Sequence, residues 1–269
     1  MVLILLGCSK NNDLSWVATL PKPWTLTDDQ ISDYLPRFQK HFPDFQERIK
    51  ALAIWRVGTP YEIFKLGEEQ EPDPDPIIRM DVSDCTGHIL TTLAAAQSRS
   101  WEEARQNMIR IHYKPDSLGR QTPTYLSRWH FTADRITANP NTVNITETLV
   151  PKDQLAEAKL VLNRQSDGQE FLALNWERAV DLFYIPNQAI TPELMTRLPE
   201  VCGVAFVRRS YMDKGILIAH EGMIIDQKDL IHASLSAGYT QRIPFLEYYF
   251  PESGPFMDGI MIYTFHPLD

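Results

Sequence analysis

The spacing of apolar residues changes about three quarters of the way along the chain. Before residue 201 many apolar positions recur at helical spacing, and after it they fall into short runs rich in β-branched residues. Thr25 to Asp29 and Ser100 supply N-cap chemistry for two of the helical stretches, and Ser83 or Asp84 can cap a third. The spacing predicts helices over residues 25–53, 85–96, 101–111, 126–136 and 152–164.

The later part of the chain predicts strands. The clearest runs cover residues 204–208, 216–225, 230–234 and 259–265. Helices first and neighbouring strands afterwards are typical of an α+β fold with an antiparallel sheet. We therefore expect a leader and tether over residues 1–23 and a single domain over residues 24–269. This domain has a helical N-terminal part and an inserted helical segment at about 98–198.

Composition narrows the class of protein. The 269 residues are 43 % hydrophobic and 23 % charged, as in an ordinary soluble domain. The formal net charge of −9 argues against nucleic acid as a partner. Three cysteines, at positions 8, 85 and 202, form neither a disulfide framework nor a Cys-x-x-Cys zinc motif. Cys202 precedes an apolar strand and is predicted to pack in the core.

The N-terminus carries a possible lipidation signal. Leu5-Leu6-Gly7-Cys8 resembles a bacterial lipobox, in which the cysteine receives a lipid. The apolar stretch before it is shorter than the usual ~7–15 residues and lacks a basic flank, so a fortuitous apolar leader is the alternative. A lipidated Cys8 would make the protein a membrane-anchored lipoprotein of the cell envelope, in the periplasm.

Cys85 occupies a position that can activate a nucleophile. It lies in the first turn of a predicted helix, where the helix dipole and the free backbone N–H groups favour thiolate over thiol. The same N–H groups can stabilise an oxyanion. The alternative is a structural cysteine, because free cysteines are often buried.

Two histidines can complete a thiol site. His220 and His232 lie in consecutive predicted strands on either side of a turn at about residues 226–229. A loop with an odd number of residues puts both side chains on one face of the hairpin, and an even loop separates them. On one face, His220 could act as base and His232 could orient it. Core or surface histidines, or a zinc site formed with Cys85, are the alternatives.

Several motifs together resemble the NlpC/P60 family of papain-like peptidoglycan hydrolases. That family has a Gly-x-Pro-Tyr segment, then Asp-Cys-Ser-Gly, then two strands that each carry a histidine. The corresponding segments here are Gly58-Thr59-Pro60-Tyr61, Asp84-Cys85-Thr86-Gly87, and the strands around His220 and His232. Residues 109–113, 127–131 and 183–186 resemble a particular branch, the DUF1460 or N-acetylmuramoyl-L-alanine amidase-like proteins. The resemblance covers about residues 50–250.

This resemblance implies a papain-like core with helical additions and roles for particular residues. Cys85 would be the nucleophile, His220 the base and His232 the orienting residue. Tyr61 would line the site. Arg128 and His130 would contact substrate, with a structural ion pair or a core contact as the alternative. The chain departs from the pattern at Cys202-Gly203, where relatives tend to have Gly-Asp.

The implied reaction is hydrolysis of an amide bond in peptidoglycan or a soluble muropeptide, with no cofactor. The bond could join muramic acid to L-alanine, or D-glutamate to the diamino acid within the stem peptide. Two rival functions remain at this point: a non-catalytic muropeptide-binding protein and an acyltransferase that uses the same thioacyl chemistry. The oligomeric state is not predicted.

Overall fold

A computed structural model describes residues 14–269 of the chain. Its centre is an antiparallel sheet, in which the strands follow the order β2-β3-β8-β4-β5-β6-β7 and β1 pairs with β8. Every strand pairing within this part of the chain is antiparallel. The strands are β1 Thr142–Asn144, β2 Ala156–Leu162, β3 Arg178–Pro186, β4 Val201–Val207, β5 Ile218–Ile225, β6 Asp229–Ser234, β7 Tyr239–Pro244 and β8 Gly259–Phe265.

Helices lie along both faces of this sheet. The α-helices of the described residues are α1 Ser15–Ala18, α2 Asp28–His41, α3 Phe45–Trp55, α4 Cys85–Ala96, α5 Trp101–His112, α6 Thr132–Ala138, α7 Thr146–Leu149, α8 Pro192–Met195 and α9 Phe245–Tyr249. Helices α3, α4 and α5 contribute to one buried cluster, and α8 and α9 contribute to a second. The fold is therefore α+β with an antiparallel sheet, as the sequence predicts.

Strand β4 shows how the sheet separates the two clusters. Ala205 and Val207 belong to the cluster that contains α3 to α5, whereas Val204 and Phe206 belong to the cluster that contains α8 and α9. This alternation follows the two-residue period of a strand, and burial on both faces explains why the whole strand is apolar. Cys202 is fully buried in the second cluster. Its predicted place in the core is confirmed.

Some predicted helices end earlier than expected or do not form. The stretch 25–53 is two helices, α2 and α3, because Pro43 interrupts it and Asp44 caps α3 through the backbone N–H of Glu47. The predicted helix 126–136 is a 3-10 turn at Tyr125–Ser127 followed by α6. The predicted helix 152–164 is wrong.

Strand β2 takes the place of that last helix and pairs with β3 from Ala156↔Tyr184 to Leu162↔Arg178. Pairing with a distant segment overrides the moderate helix propensity of the Ala, Glu, Lys and Leu residues in β2. The segment at about 98–198 is therefore not wholly helical, because it contributes β1, β2 and β3 to the sheet.

The tether predicted over residues 1–23 is wrong for its last part, because residues of α1 pack against the rest of the protein. Val17 in α1 is buried in the core, and the Trp16 ring stacks on His41 with centroids 4.0 Å apart. Cys8 lies outside the described residues. From residue 14 onward, no helix is long and apolar enough to cross a membrane.

Candidate active site

A cavity of about 720 Å³ opens at the start of α4. Its walls come from the segment before α4, from the residues just before and within α6, and from the start of β5. Five of the six predicted catalytic and substrate-binding residues line it: Tyr61, Cys85, Arg128, His130 and His220. The sixth, His232, lies behind His220.

Cys85 is the first residue of α4, as predicted, and it is partly exposed. Asp84 is the N-cap, and its Oδ1 accepts a hydrogen bond from the backbone N–H of Gly87 at 2.7 Å. Its Oδ2 accepts a second bond from the N–H of Phe64 at 2.9 Å. Phe64 has a φ of 56°, a left-handed conformation that is uncommon for a bulky residue. One carboxylate thus connects the helix start to a strained residue of the cavity wall.

The two histidines lie on one face of the hairpin, as a loop with an odd number of residues predicts. The last pair of the β5–β6 hairpin is Ile225↔Asp229, which leaves a loop of three residues. His220 Nε2 and His232 Nδ1 are 2.8 Å apart. Gly222 keeps the strands close at this point, since a Cβ added there would lie 3.0 Å from the Cβ of His232. The hairpin thus joins the two rings through one hydrogen bond.

Gln241 on β7 extends this pair. It lies directly across from His232 in the β6–β7 ladder, and its side-chain amide nitrogen is 3.0 Å from His232 Nε2. The rings of Phe206 and Tyr248 cover the histidines, with centroids 5.3 Å from His220 and 4.5 Å from His232 respectively. Sequence reasoning missed Gln241, because only the register of β7 brings it to His232.

Burial favours the uncharged form of each of these groups. It raises the pKa of the Cys85 thiol to about 12, and the carboxylates of Asp84 and Glu221 add to this shift. Burial also lowers the pKa of His220 to about 4 and that of His232 to about 3. A preformed thiolate was expected from the helix start, but the surroundings favour a neutral thiol beside neutral imidazoles. In the described residues, no hydrogen bond joins the Cys85 thiol to His220.

A buried network of polar and charged side chains lies beside this pair of histidines. Its centre is Glu221, which follows His220 on β5 and is fully buried. The donors to its carboxylate are the hydroxyl of Thr86 at 2.7 Å, the hydroxyl of Thr132 at 3.2 Å, the guanidinium of Arg135 at 2.5 Å and the hydroxyl of Tyr263 at 2.5 Å. The network holds the second residue of α4 against β5. Sequence reasoning missed it, because these residues are far apart in the chain.

Gly203 makes room for one member of this network. A Cβ added at Gly203 would lie 2.1 Å from the Tyr263 ring, closer than any real contact. Glycine at position 203 therefore admits the ring whose hydroxyl reaches Glu221.

Arg128 and His130 combine cavity lining with structural contacts. Arg128 donates to Glu68 Oε1 at 2.7 Å from Nε and to Asp73 Oδ2 at 2.8 Å from Nη2. His130 Nε2 donates to the carbonyl of Tyr125 at 2.6 Å, and burial lowers the pKa of this histidine to about 4. Both residues also line the cavity, so a structural contact and a substrate contact are compatible for each of them.

Tyr61, which the sequence predicts to line the site, lies on the cavity wall. Burial, followed by the proximity of Cys85 and Asp84, raises the pKa of Tyr61 to about 12. Tyr61 is therefore a neutral hydroxyl on the cavity wall.

Within residues 14–269, no group of three or more His, Cys, Asp or Glu side chains is arranged to hold a metal ion.

Comparison with known families gives this geometry a context. Residues 53–254 match the model of the AmiA-like family, described as N-acetylmuramoyl-L-alanine amidase-like. The chain belongs to this family. The match spans the cavity, Cys85, both histidines and Gln241, and it confirms the amidase-like resemblance found in the sequence. The search of curated proteins gave no match.

Several solved structures of bacterial proteins have a similar fold. A DUF1460 protein from Legionella pneumophila has a TM-score of 0.70 at 20 % identity, covering 88 % of this chain and 94 % of that one. An N-acetylmuramoyl-L-alanine amidase from Bacteroides uniformis has a TM-score of 0.62 at 19 % identity, with 81 % and 98 % covered. A candidate xylanase from Bacteroides fragilis has a TM-score of 0.60 at 21 % identity, with 80 % and 99 % covered. At such low identity these neighbours establish the fold alone.

Proposed function

We propose that this AmiA-like protein is a cysteine amidase that hydrolyses an amide bond of peptidoglycan, with Cys85 as nucleophile, His220 as base and His232 as the residue that orients the base. Membership of an amidase-like family of peptidoglycan hydrolases supports the reaction class. The individual roles rest on the geometry of the cavity.

One observation carries the proposal. A cysteine at the N-terminus of a helix and a histidine that is hydrogen-bonded to a second histidine line the same cavity. A thiol nucleophile needs a base and a group that holds this base in position, and these three side chains supply both. A papain-like core of the NlpC/P60 type is the corresponding proposal for the fold.

The reaction follows from these positions. His220 uses Nε2 for His232, so Nδ1 is the atom left to receive the thiol proton as sulfur attacks the amide carbonyl. The backbone N–H of Cys85, the first of α4, stabilises the oxyanion, since the N–H groups of Gly87 and His88 already bond to Asp84. His220 then returns its proton to the leaving amine, which leaves a thioester on Cys85. Water, deprotonated by His220, hydrolyses the thioester and restores the thiol. No cofactor takes part.

The electrostatics of the resting site suit this sequence of steps. Since burial favours a neutral thiol and neutral imidazoles, the proton moves to His220 during the attack rather than before it. His220 can then act as a base at pH values above about 4, where its ring is neutral and one ring nitrogen is free to accept a proton. The enzyme should therefore stay active in mildly acidic solution.

The family description favours the bond between muramic acid and L-alanine as the one cut. Cleavage between D-glutamate and the diamino acid within the stem peptide is the alternative. Tyr61, Arg128 and His130 on the cavity wall are the proposed substrate-binding residues. Lipidation at Cys8 is proposed to hold the enzyme at a membrane of the cell envelope, facing the periplasm, which would keep it close to this substrate.

The test is digestion of purified peptidoglycan and soluble muropeptides by wild type, Cys85→Ala and Cys202→Ala, with products read by mass spectrometry. Cys202 is the matched control, because it is the other free cysteine of the described residues and is buried away from the cavity. We expect products from wild type and Cys202→Ala and none from Cys85→Ala. The fragment masses identify the bond.

The rival functions give different results in the same experiment. A muropeptide-binding protein would retain the ligand without new fragments in any variant. An acyltransferase would transfer the acyl group to an added amine or alcohol in preference to water. Products that persist in Cys85→Ala would overturn the thiol mechanism.

A further inference from the structure

We propose that Gln241 is a positioning residue of this site: its side-chain oxygen accepts the His232 Nε2 proton and so fixes the direction of the hydrogen bonds that run from His232 to His220. This inference rests on the proposed function and extends it beyond the three residues named so far. Gln241 is not among the residues that line the cavity; it acts through His232.

The contacts of His232 leave Gln241 as the partner that decides which ring nitrogen of His232 carries the proton. His232 is only 1 % exposed, so its Nε2 atom has little access to bulk water. Its Nδ1 atom is already used by His220 at 2.8 Å. Among the described residues, the remaining polar contact is the side-chain amide of Gln241, whose nitrogen is 3.0 Å from Nε2 and which is held in place by the cross-strand pair His232↔Gln241.

The directions of the hydrogen bonds that join His220, His232 and Gln241 depend on one another. A neutral imidazole carries one N–H, so one ring nitrogen donates and the other accepts. If His220 is to accept the thiol proton at Nδ1, it must carry its own proton at Nε2 and donate it to His232 Nδ1. His232 must then carry its proton at Nε2, and that proton needs an acceptor. The side-chain oxygen of Gln241 can accept it.

A glutamine amide can also impose the opposite arrangement. When its NH₂ group faces His232 Nε2, as in this structure, His232 must donate from Nδ1 to His220 Nε2. The proton of His220 then occupies Nδ1, and His220 has no lone pair for the thiol. Rotating the amide by half a turn exchanges its two ends without changing its shape. The orientation with the oxygen toward His232 is the one that permits catalysis.

Substitutions at Gln241 separate these arrangements. In Gln241→Glu the carboxylate can only accept, so it retains the catalytic direction. In Gln241→Leu nothing accepts the His232 proton. We expect Gln241→Leu to lower kcat at least about 10-fold, which is part of the ~10²–10⁴-fold that a general base contributes, with KM changed less than about 3-fold. Gln241→Glu should keep kcat within about 3-fold of wild type at pH 7 and move the acidic limb of the profile to higher pH, because a negative charge favours the imidazolium.

The experiment measures kcat and KM on a soluble muropeptide from pH 4 to 9 for wild type and both variants, and identifies the His232 tautomer in wild type by ¹⁵N NMR. Arg242→Gln is the control, since Arg242 is the next residue of β7 and pairs with Asp229 on the surface. A wild-type kcat in Gln241→Leu, an equal loss in both variants, or a His232 proton on Nδ1 would each overturn the proposal.

The outcomes distinguish this proposal from the proposed function. If Cys85→Ala also digests muropeptide, the thiol mechanism itself fails. If Cys85→Ala is inactive while Gln241→Leu is normal, only the role of Gln241 fails. Should Gln241→Leu not fold, the Gln241→Glu profile and the NMR measurement on wild type still decide the question.

Discussion

The carboxylate of Asp84 accepts a hydrogen bond from the backbone N–H of Phe64, 2.9 Å away and twenty positions earlier in the chain. The other oxygen of the same carboxylate caps α4 at Gly87. Phe64 and Cys85 both line the cavity, and Phe64 holds a left-handed backbone conformation. The cap of the helix therefore also positions a wall of the site.

Replacement of this cap should reduce both stability and activity. We expect Asp84→Ala to lower the free energy of unfolding by about 0.5–2 kcal/mol, the usual loss for a helix N-cap. Activity should fall at least about tenfold, roughly 1.4 kcal/mol of barrier, because Phe64 and Cys85 both lose their anchor. Urea unfolding and muropeptide hydrolysis check the two effects. Ser100→Ala, which removes the cap of α5 at Glu103 N–H, is the control with a similar stability loss and normal activity.

Loss of the Glu221 charge should destabilise the whole domain. In Glu221→Gln the buried guanidinium of Arg135 would keep its charge without a counter-ion. Breaking a buried ion pair in this way costs about 3–5 kcal/mol. Lys159→Gln removes an exposed ion pair with Asp181 and should have a far smaller effect on stability, because water screens an exposed pair. Equal midpoints for the two variants in urea unfolding would contradict the importance of the buried network.

Gly203→Ala tests the space reserved for Tyr263. The new Cβ would lie 2.1 Å from the ring, and Tyr263 would have to move away from Glu221. We expect a loss of about 1–3 kcal/mol from overpacking together with reduced activity. Gly254→Ala is the control, because its Cβ meets no atom within 4 Å and only its positive φ is unfavourable. Thermal unfolding of both variants shows whether the ring contact matters beyond the loss of a glycine.

We expect the buried histidines to lower the free energy of unfolding in mild acid. The folded pKa of His232 is about 3, below the free value of ~6.5. As the pH falls through ~6.5 the unfolded chain binds a proton that the folded chain does not, so the free energy of unfolding decreases until the pH reaches the folded pKa. For His232 the loss between pH 7 and pH 5 is on the order of 2 kcal/mol.

His232→Gln should therefore lose less stability than wild type over the same pH interval. Urea unfolding of both proteins at pH 7 and pH 5 measures this difference. Titrating groups that do not contact His232 affect wild type and variant alike, so comparison of the two intervals isolates the contribution of His232 and of its hydrogen-bonded partner His220. Parallel losses would mean that His232 is not kept neutral by the fold.

Features set by near neighbours in the chain could be predicted from the sequence. The starts of α4 at Cys85 and of α5 at Trp101 follow from caps one residue earlier, which need only a local hydrogen bond. Strand β8 matches its apolar run from Gly259 to Phe265. The family resemblance also rested on short motifs that can be seen without a structure.

Features that depend on pairing between distant segments could not be predicted. Residues 156–162 have a pattern that favours a helix, but the partner strand β3 makes them a strand. The parity of the β5–β6 loop decides whether His220 meets His232, and the sequence allowed both results.

The chain by itself determined which chemical groups are present and where its helices can begin, because caps and apolar spacing act over a few residues. The tertiary structure alone decided that Gln241 touches His232 and that Glu221 joins α4 to the sheet. It also decided the electrostatics: burial raises the pKa of Cys85 to about 12, where the helix start alone predicted a thiolate. Desolvation depends on everything packed around a group, and no stretch of sequence contains that information.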